Sequence, residues 1–319
     1  MGVSNIIFGN NPIMDITDST VTPEHVENGY VFYGANGERL IGNMQGGGGG
    51  EELANSYTAV VNNEYRMLGS CANMFYGNTS FNQPVMIGDN VTNCYCMFQK
   101  CTYFNQPVTI GNNVTTCYRM FYDCTYFNQP VTIPNNVTTC YDMFYNCKNL
   151  NQPVTISNNV INCGRMFYNC TYFNQPVTIP NKATHCSAMI YRCTYFNQPI
   201  TIPDNVTNCS SMIYYCTYFN QPVTIGNNVT NTAYMFYYCT YLNQNIYIKS
   251  TKITDVGNML YNHNNQKQIN LFCTNLASLN KTTAATSLTG KDMSWTAMTN
   301  GYYNTMYNIY LYNNLPAGI

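Results

Sequence analysis

From Phe81 to Leu242 the hydrophobic positions of the chain return at a fixed step of 23 residues, with no insertion between the units, in an array that runs from Cys71 to Asn262. Phe81, Phe104, Phe127, Leu150, Phe173, Phe196, Phe219 and Leu242 mark the successive units. Two periods alternate inside each one. In the unit that opens at Cys101, Val108 and Ile110 flank Thr109 with the two-residue period of a short strand. Val114, Cys117, Met120, Phe121 and Cys124 then fall at i, i+3, i+6, i+7 and i+10, which predicts one face of a short helix. Between them, Asn112-Asn113 is turn chemistry, because Asn bonds its own backbone and tolerates bends. Pro107 has an equivalent in every unit but the last; it cannot donate to a ladder, so each strand should begin at or just after it.

One unit therefore predicts one rung: strand, turn, helical turn, return. Parallel strands stack at ~4.8 Å, whereas packed helices need roughly 8–10 Å. Fully packed helices would curve the array with its strands on the concave side; tight 3₁₀ turns would leave it straighter.

The cysteines follow the same step. Fourteen of the 16 stand in two columns: Cys71, Cys94, Cys117, Cys140, Cys163, Cys186 and Cys209, then Cys101, Cys124, Cys147, Cys170, Cys193, Cys216 and Cys239. The two in one rung are seven residues apart, about 10 Å along a helix, beyond disulfide reach. Both columns read as buried free thiols filling a narrow core, which suits folding in a reducing compartment. A structural zinc site uses C-x2–4-C, and His25, His185 and His263 do not repeat with the cysteines, so no metal is expected. No cofactor is expected either.

Outside the array the pattern changes. Residues 1–45 hold Asn36-Gly37, a hairpin signal between strand candidates at Tyr30–Tyr33 and Arg39–Ile41, and read as a small β module. Gly46 to Gly50 is a flexible joint, residues 51–70 an N-terminal cap, residues 71–262 the solenoid and residues 263–319 a C-terminal cap or aromatic domain. Near the end, Ile309 and Leu311 alternate with Tyr310 and Tyr312 like a strand.

Charge narrows the function. Only 8% of the 319 residues are charged and the formal net charge is -1. Such a chain has no electrostatic footprint for nucleic acid and no polybasic stretch for a membrane surface; no run approaches the ~18 apolar residues of a membrane helix. The opening "MGVSNIIFGNN" lacks the basic start and apolar run of an export signal. A glycan-cleaving enzyme would need two carboxylates facing one cleft. The acids of the array, Asp89, Asp123, Asp142, Asp204 and Asp255, are few, and Arg119, Asp142 and Arg165, like Lys100 and Asp123, read instead as cross-rung ion pairs. No enzyme is expected.

The unit running from Val131, with Ile133-Pro134, Val137, Cys140, Met143-Phe144 and Cys147, resembles the BspA-like leucine-rich repeat. "FNQP" with "MFYNC" is also similar to the repeats of mycoplasma-type surface proteins. These resemblances imply an α+β repeat solenoid, leucine-rich-repeat-like, with short parallel strands and short helical turns, and a role in adhesion. Cys140 and Met143 depart from the usual Ile and Ala. A second resemblance covers Ile6 to Met44, where Asp15-Ile16-Thr17, Gly34-Ala35-Asn36-Gly37-Glu38 and Ile41-Gly42-Asn43-Met44 look like the opening segment of tailed-phage structural proteins. It implies a bacteriophage virion protein of the tail-fibre or receptor-binding type, assembled in the host cytoplasm, attached to other virion proteins through residues 1–45 and a possible homo-oligomer, with trimers common among such fibres. Its partner would be a host surface glycan or protein. A head fibre or capsid decoration, and a bacterial surface adhesin, are the alternatives.

Two columns vary from rung to rung while the core columns hardly change: Cys96, Arg119, Asp142, Arg165, Ala188, Ser211, Tyr234, and Lys100, Asp123, Asn146, Asn169, Arg192, Tyr215, Tyr238. Off the predicted helix's apolar face, both should point outward. A further column, Tyr103, Tyr126, Tyr172, Tyr195, Tyr218 and Tyr241, either binds or simply paves the surface by self-stacking, and Thr109 and its equivalents make a uniform ladder on the strand side. The candidate ligand-binding residues are Arg192, Tyr215 and Tyr238 on the variable face, and Trp295, Tyr302 and Tyr303 in the C-terminal region.

Overall fold

The computed structural model describes residues 71–261, 268–275 and 308–319, together with the backbone of strands at Asn5–Phe8, Asn11–Asp15, Val31–Tyr33, Arg39–Ile41, Thr58–Val61, Glu64–Met67, Thr296–Met298 and Gly301–Asn304.

Proline places the strands. Val85–Ile87, Val108–Thr109, Val131–Thr132, Val154–Thr155, Ile200–Ile202 and Val223–Ile225 each start at the residue after it. In the last unit Asn245 stands in its place, and with an N–H restored the strand begins one position earlier, as Asn245–Ile248. Neighbours pair in parallel and in register, Val131 with Val154 and Ile200 with Val223 and onward to Ile246. Val and Ile point inward and Thr outward. Val177 and Ile179, in the rung without an assigned strand, are buried in the same sense.

The sheet does not stop at Asn262. Ile269–Cys273 joins Asn245–Ile248 in parallel, Ile309–Tyr312 follows in parallel, and Gly301–Asn304 and Thr296–Met298 close the order antiparallel. At the other end Glu64–Met67 pairs in parallel with Val85–Ile87, and the expected hairpin is present as Val31–Tyr33 against Arg39–Ile41.

The helical turn is absent: among the described residues there is no helix, and the segment predicted helical is a run of tight turns. Its hydrogen bonds give the reason. The N–H groups of Cys94, Cys96, Phe98 and Lys100 donate to the next rung's Thr116, Tyr118, Met120 and Tyr122 carbonyls at 2.7–3.2 Å. Those of Met97, Gln99 and Cys101 reach only three residues back, to Cys94, Cys96 and Phe98. An α-helix would close all of them four residues back and hold its neighbour too far away to stack at strand spacing. A second line of parallel bridges, from Asn93 through Thr116, Thr139 and Asn162 to Asp255, runs along the other side of the rungs. Both sides thus advance by the same ~4.8 Å, and the curvature expected of packed helices has no source. The fold is a β-solenoid, not an α+β array.

Side chains stack at the same pitch. Phe98, Phe121, Phe144 and Phe167 lie 5.3–5.7 Å apart with nearly parallel rings, and Phe104 and Phe127 interleave with them at 4.3 Å. The "FNQP" asparagines form a polar ladder, each Oδ1 accepting the next rung's backbone N–H, as from Asn105 to Asn82 and Asn128 to Asn105 at 2.8 Å. All 16 cysteines are free and buried. The premise of helical separation falls with the helix. In-register stacking instead leaves successive Cβ atoms near the rung pitch, beyond the ~3.5–4.5 Å a disulfide uses. The second column is further held by hydrogen bonds: Cys124 Sγ donates to the Phe98 carbonyl at 2.9 Å and Cys147 to that of Phe121 at 3.0 Å. Burial pushes the Cys117 and Cys209 thiols up to about 12.

Candidate binding face

The two variable columns are the positions where the turn run requires a left-handed backbone. Cys96, Arg119, Asp142, Arg165, Ala188, Ser211 and Tyr234 have φ of 51–58°, and Lys100, Asp123, Asn146, Asn169, Arg192, Tyr215 and Tyr238 have φ of 55–63°. A polar residue opens each run: Asn93, Asn162, Asn208 and Asn231 accept through Oδ1 from the N–H two residues on, at 2.9 Å, and Thr116 and Thr139 do so through Oγ1. The left-handed residue follows three positions after this acceptor. A residue with a Cβ costs roughly 1–2 kcal/mol there. Each one's own N–H bonds the next rung, at 2.6–2.9 Å along the second column, which offsets that cost.

Between these columns runs a ladder of stacked tyrosines. Tyr122, Tyr145, Tyr168, Tyr191, Tyr214, Tyr237 and Tyr261 succeed one another at centroid distances of 4.3–4.7 Å, within 9° of parallel. Arg119 lies over the Tyr118 and Tyr122 rings, Arg165 over Tyr141, Tyr145 and Tyr168, and Arg192 over Tyr191 and Tyr215, all at 5.0–5.7 Å. Desolvation within the ladder pushes the Tyr122 and Tyr168 phenols up to about 12.

The family whose description reads "Mycoplasma protein of unknown function, DUF285" matches residues 54–157, 112–202, 132–225 and 181–276, which together span more than two thirds of the chain. The chain belongs to the DUF285 family. The matched residues hold every 23-residue unit of this DUF285 protein, and the segment Ile6 to Met44 lies outside them. No curated protein matches. A solved structure of a leucine rich cell surface protein from Faecalibacterium prausnitzii A2-165 aligns over 79% of this chain and 94% of its own, at 15% identity and a TM-score of 0.37.

Within the DUF285 array, Asp142 departs from the outward direction expected of its column. It is fully buried between rungs, with Arg119 Nε at 3.0 Å from Oδ2 and Arg165 Nε at 3.2 Å from Oδ1. The second contact is close as an ion pair but lacks hydrogen-bond alignment, and Oδ1 has no hydrogen-bond partner. Burial raises the pKa of this carboxyl against the pull of the two arginines. The expected cross-rung ion pairs are thus present here and partly buried. Cys96 also turns inward. The other expected pair does not form: Lys100 sits over the Tyr76 ring and Asp123 accepts from Asn146 Nδ2 at 2.7 Å.

Of the candidate residues, Arg192, Tyr215 and Tyr238 come together in one stack, with Arg192 5.4 Å from the Tyr215 ring and Tyr238 4.4 Å beyond it. The backbone of Tyr302 and Tyr303 lies on Gly301–Asn304, paired to Leu311 and Tyr310. Trp295 is outside the described residues. What the sequence reading missed is the ladder itself, although six tyrosines from Tyr122 to Tyr237 at a constant step were the signal for it. The exposed column singled out instead, Tyr103 with Tyr126 and Tyr172 through Tyr241, stacks on itself at 5.1–5.5 Å and is broken at Asn149. Rings stacked in this way cover one another's faces and offer edges and hydroxyls. Tyr215 and Tyr238 are tilted 40° and 48° from their ladder neighbours but stack on each other, and Tyr234 is tilted 55° from Tyr237.

Proposed function

We propose that this DUF285 protein is a surface-displayed binding protein of the adhesin type, and that its contact face is the arginine- and tyrosine-bearing turn side around Arg192, Tyr215, Tyr234 and Tyr238. The carrying observation is the filling of the left-handed columns. Gly77 is the one glycine in them among the described residues, and Asn73, Asn146, Asn169 and Asn258 are asparagines; at most of the other positions Arg, Lys, Tyr, Ala and Ser stand where Gly or Asn would cost less. A protein under pressure only to fold would favour the cheaper residues, so the side chains at these sites have a use outside the core.

An enzymatic role is not part of the proposal. The acids of the array are all engaged by neighbours: Asp142 by two arginines, Asp123 by Asn146, Asp89 and Asp204 by the next rung's backbone N–H groups of Asn112 and Asn227, and Asp255 by the N–H of Gly257 in its own turn. Surface display is compatible with the free thiols, because every cysteine is buried away from oxidants. A virion fibre is the second reading, favoured by the phage-like segment Ile6 to Met44, with residues 1–45 as the attachment module and a trimer as its assembly.

The test is binding of the purified full chain to bacterial and host cells, comparing Tyr215→Ala/Tyr238→Ala with Trp295→Ala/Tyr302→Ala. Loss in the first pair with folding retained supports the turn face. Loss confined to the second pair moves the site to the C-terminal region, and unchanged binding in both removes the adhesin reading. Incorporation into phage particles, abolished by deletion of residues 1–45, would decide for the fibre.

A further inference from the structure

Resting on that reading, we infer that the ligand of the turn face is an acidic polysaccharide bearing carboxylates, held by Arg119, Arg165 and Arg192. The first support is where the charge lies. In a chain with 8% charged residues, the three arginines of the repeat array all stand in the two left-handed columns of one face, joined by Lys100. Only Asp123 and the buried Asp142 oppose them there, so the accessible charge of this face is positive although the chain as a whole is -1.

The second support is the state of the guanidinium groups. Arg119 bonds Asp142 through Nε alone, and Arg165 meets Asp142 through Nε and the Tyr141 hydroxyl through one terminal nitrogen. Both side chains remain about one third exposed, at 33% and 31%, and Arg192 is exposed with no acid among the described residues paired to it. Each lies over tyrosine rings at 5.0–5.7 Å, which restricts the guanidinium while part of the side chain stays exposed. Pre-oriented guanidinium forks are the geometry that carboxylates accept in bidentate fashion.

Spacing and surroundings choose a polymer of sugars. Arg119 and Arg165 are two rungs apart, ~10 Å at strand pitch, and Arg192 stands on the next rung, so anions would have to recur along the axis. Tyrosine hydroxyls repeat beside them at each rung from Tyr122 to Tyr237, supplying neutral donors and acceptors for sugar hydroxyls. A nucleic acid would need open ring faces for base stacking, and the ladder closes them. An acidic peptide adding as a strand would need free backbone groups, and here those bond the neighbouring rungs.

The experiment is affinity electrophoresis and calorimetry of the full chain with polygalacturonate, neutral dextran and dextran sulfate. Polygalacturonate should bind and dextran should not, with affinity falling as salt rises from 50 to about 500 mM. Arg192→Ala, which touches no buried acid, should weaken binding about tenfold, and Arg192→Lys should recover part of it. Arg119→Gln/Asp142→Asn/Arg165→Gln, which leaves no buried charge unpaired, should weaken it further with the circular dichroism spectrum kept. No binding of polygalacturonate, equal binding of dextran, binding of dextran sulfate alone, or indifference to Arg192→Ala would each overturn the inference. If cell binding then still depends on Tyr215 and Tyr238, the adhesin reading stands without it; if cell binding is absent too, both fall.

Discussion

The strand side and the turn side of the solenoid are built at one pitch but by different means. On the strand side the backbone is ordinary β structure, and the outward residue hardly varies: Thr109, Thr132, Thr155, Thr178, Thr201 and Thr224. On the turn side the chain reaches the same spacing only by reversing hand twice per rung, at positions such as Arg119 and Asp123. There the outward residue varies most. The strand side repeats one cheap solution, whereas the turn side accepts backbone strain, offset by cross-rung hydrogen bonds, and holds the side chains that differ from rung to rung.

The largest effect that would sharpen this comparison comes from the core behind the turns. Phe144→Ala should lower unfolding stability by about 3–5 kcal/mol in urea titration, because the lost ring leaves a gap in a stacked column, while Thr132→Ala on the strand face should stay within about 0.5 kcal/mol. Similar losses for the two would mean that the turn-side core is not the part that holds the rungs.

Next is the buried acid. Arg165→Ala should cost about 2–3 kcal/mol, less than the loss of a sole partner because Arg119 remains, and Arg165→Ala/Asp142→Asn should recover part of it. A double variant less stable than the single would show that the Asp142 carboxylate is not the group left uncompensated.

The same substitution should then act with opposite sign on the two sides. Ala188→Gly removes a Cβ from a residue at φ 52° and should stabilise by about 0.5–1 kcal/mol. Thr201→Gly, in a strand, should destabilise by about 1 kcal/mol. Thermal melts of the pair check this, and a shared sign would refute the assignment of strain to the turn side.

The last effect is absent at neutral pH and emerges only in alkali. The Tyr122 and Tyr168 phenols have folded pKa values raised to about 12 by desolvation, above the ordinary ~10 of the unfolded chain. The folded state therefore holds more protons between these values, so the stability they contribute is complete below pH ~10 and is lost as pH rises through about 12. Ultraviolet titration of phenolate against near-ultraviolet circular dichroism should show late-ionising tyrosines whose release accompanies loss of structure. Strand-side threonines have nothing to titrate.

Much of this was legible in the sequence. The 23-residue step, the inward Val and Ile, the strand starting after proline and the buried thiols all follow from local rules. Proline has no N–H, alternation has period two, and a neutral chain must bury its Cys, Met and Phe. Even the left-handed columns could be picked out by their variation, although their backbone conformation could not.

The sequence by itself determined the period, the strand positions and which residues are core. The tertiary structure decided that the turn side is not helical. Spacing at i, i+3, i+6 and i+7 buries the same side chains whether the chain coils four residues back or turns three back and reverses hand, so Cys117, Met120, Phe121 and Cys124 carry no vote between the two. The neighbouring rung casts it: with strands fixed at ~4.8 Å on one side, the amides of Arg119, Phe121 and Asp123 gain partners in the next rung only if the other side keeps that pitch. An N–H given to the neighbour cannot also close a helix.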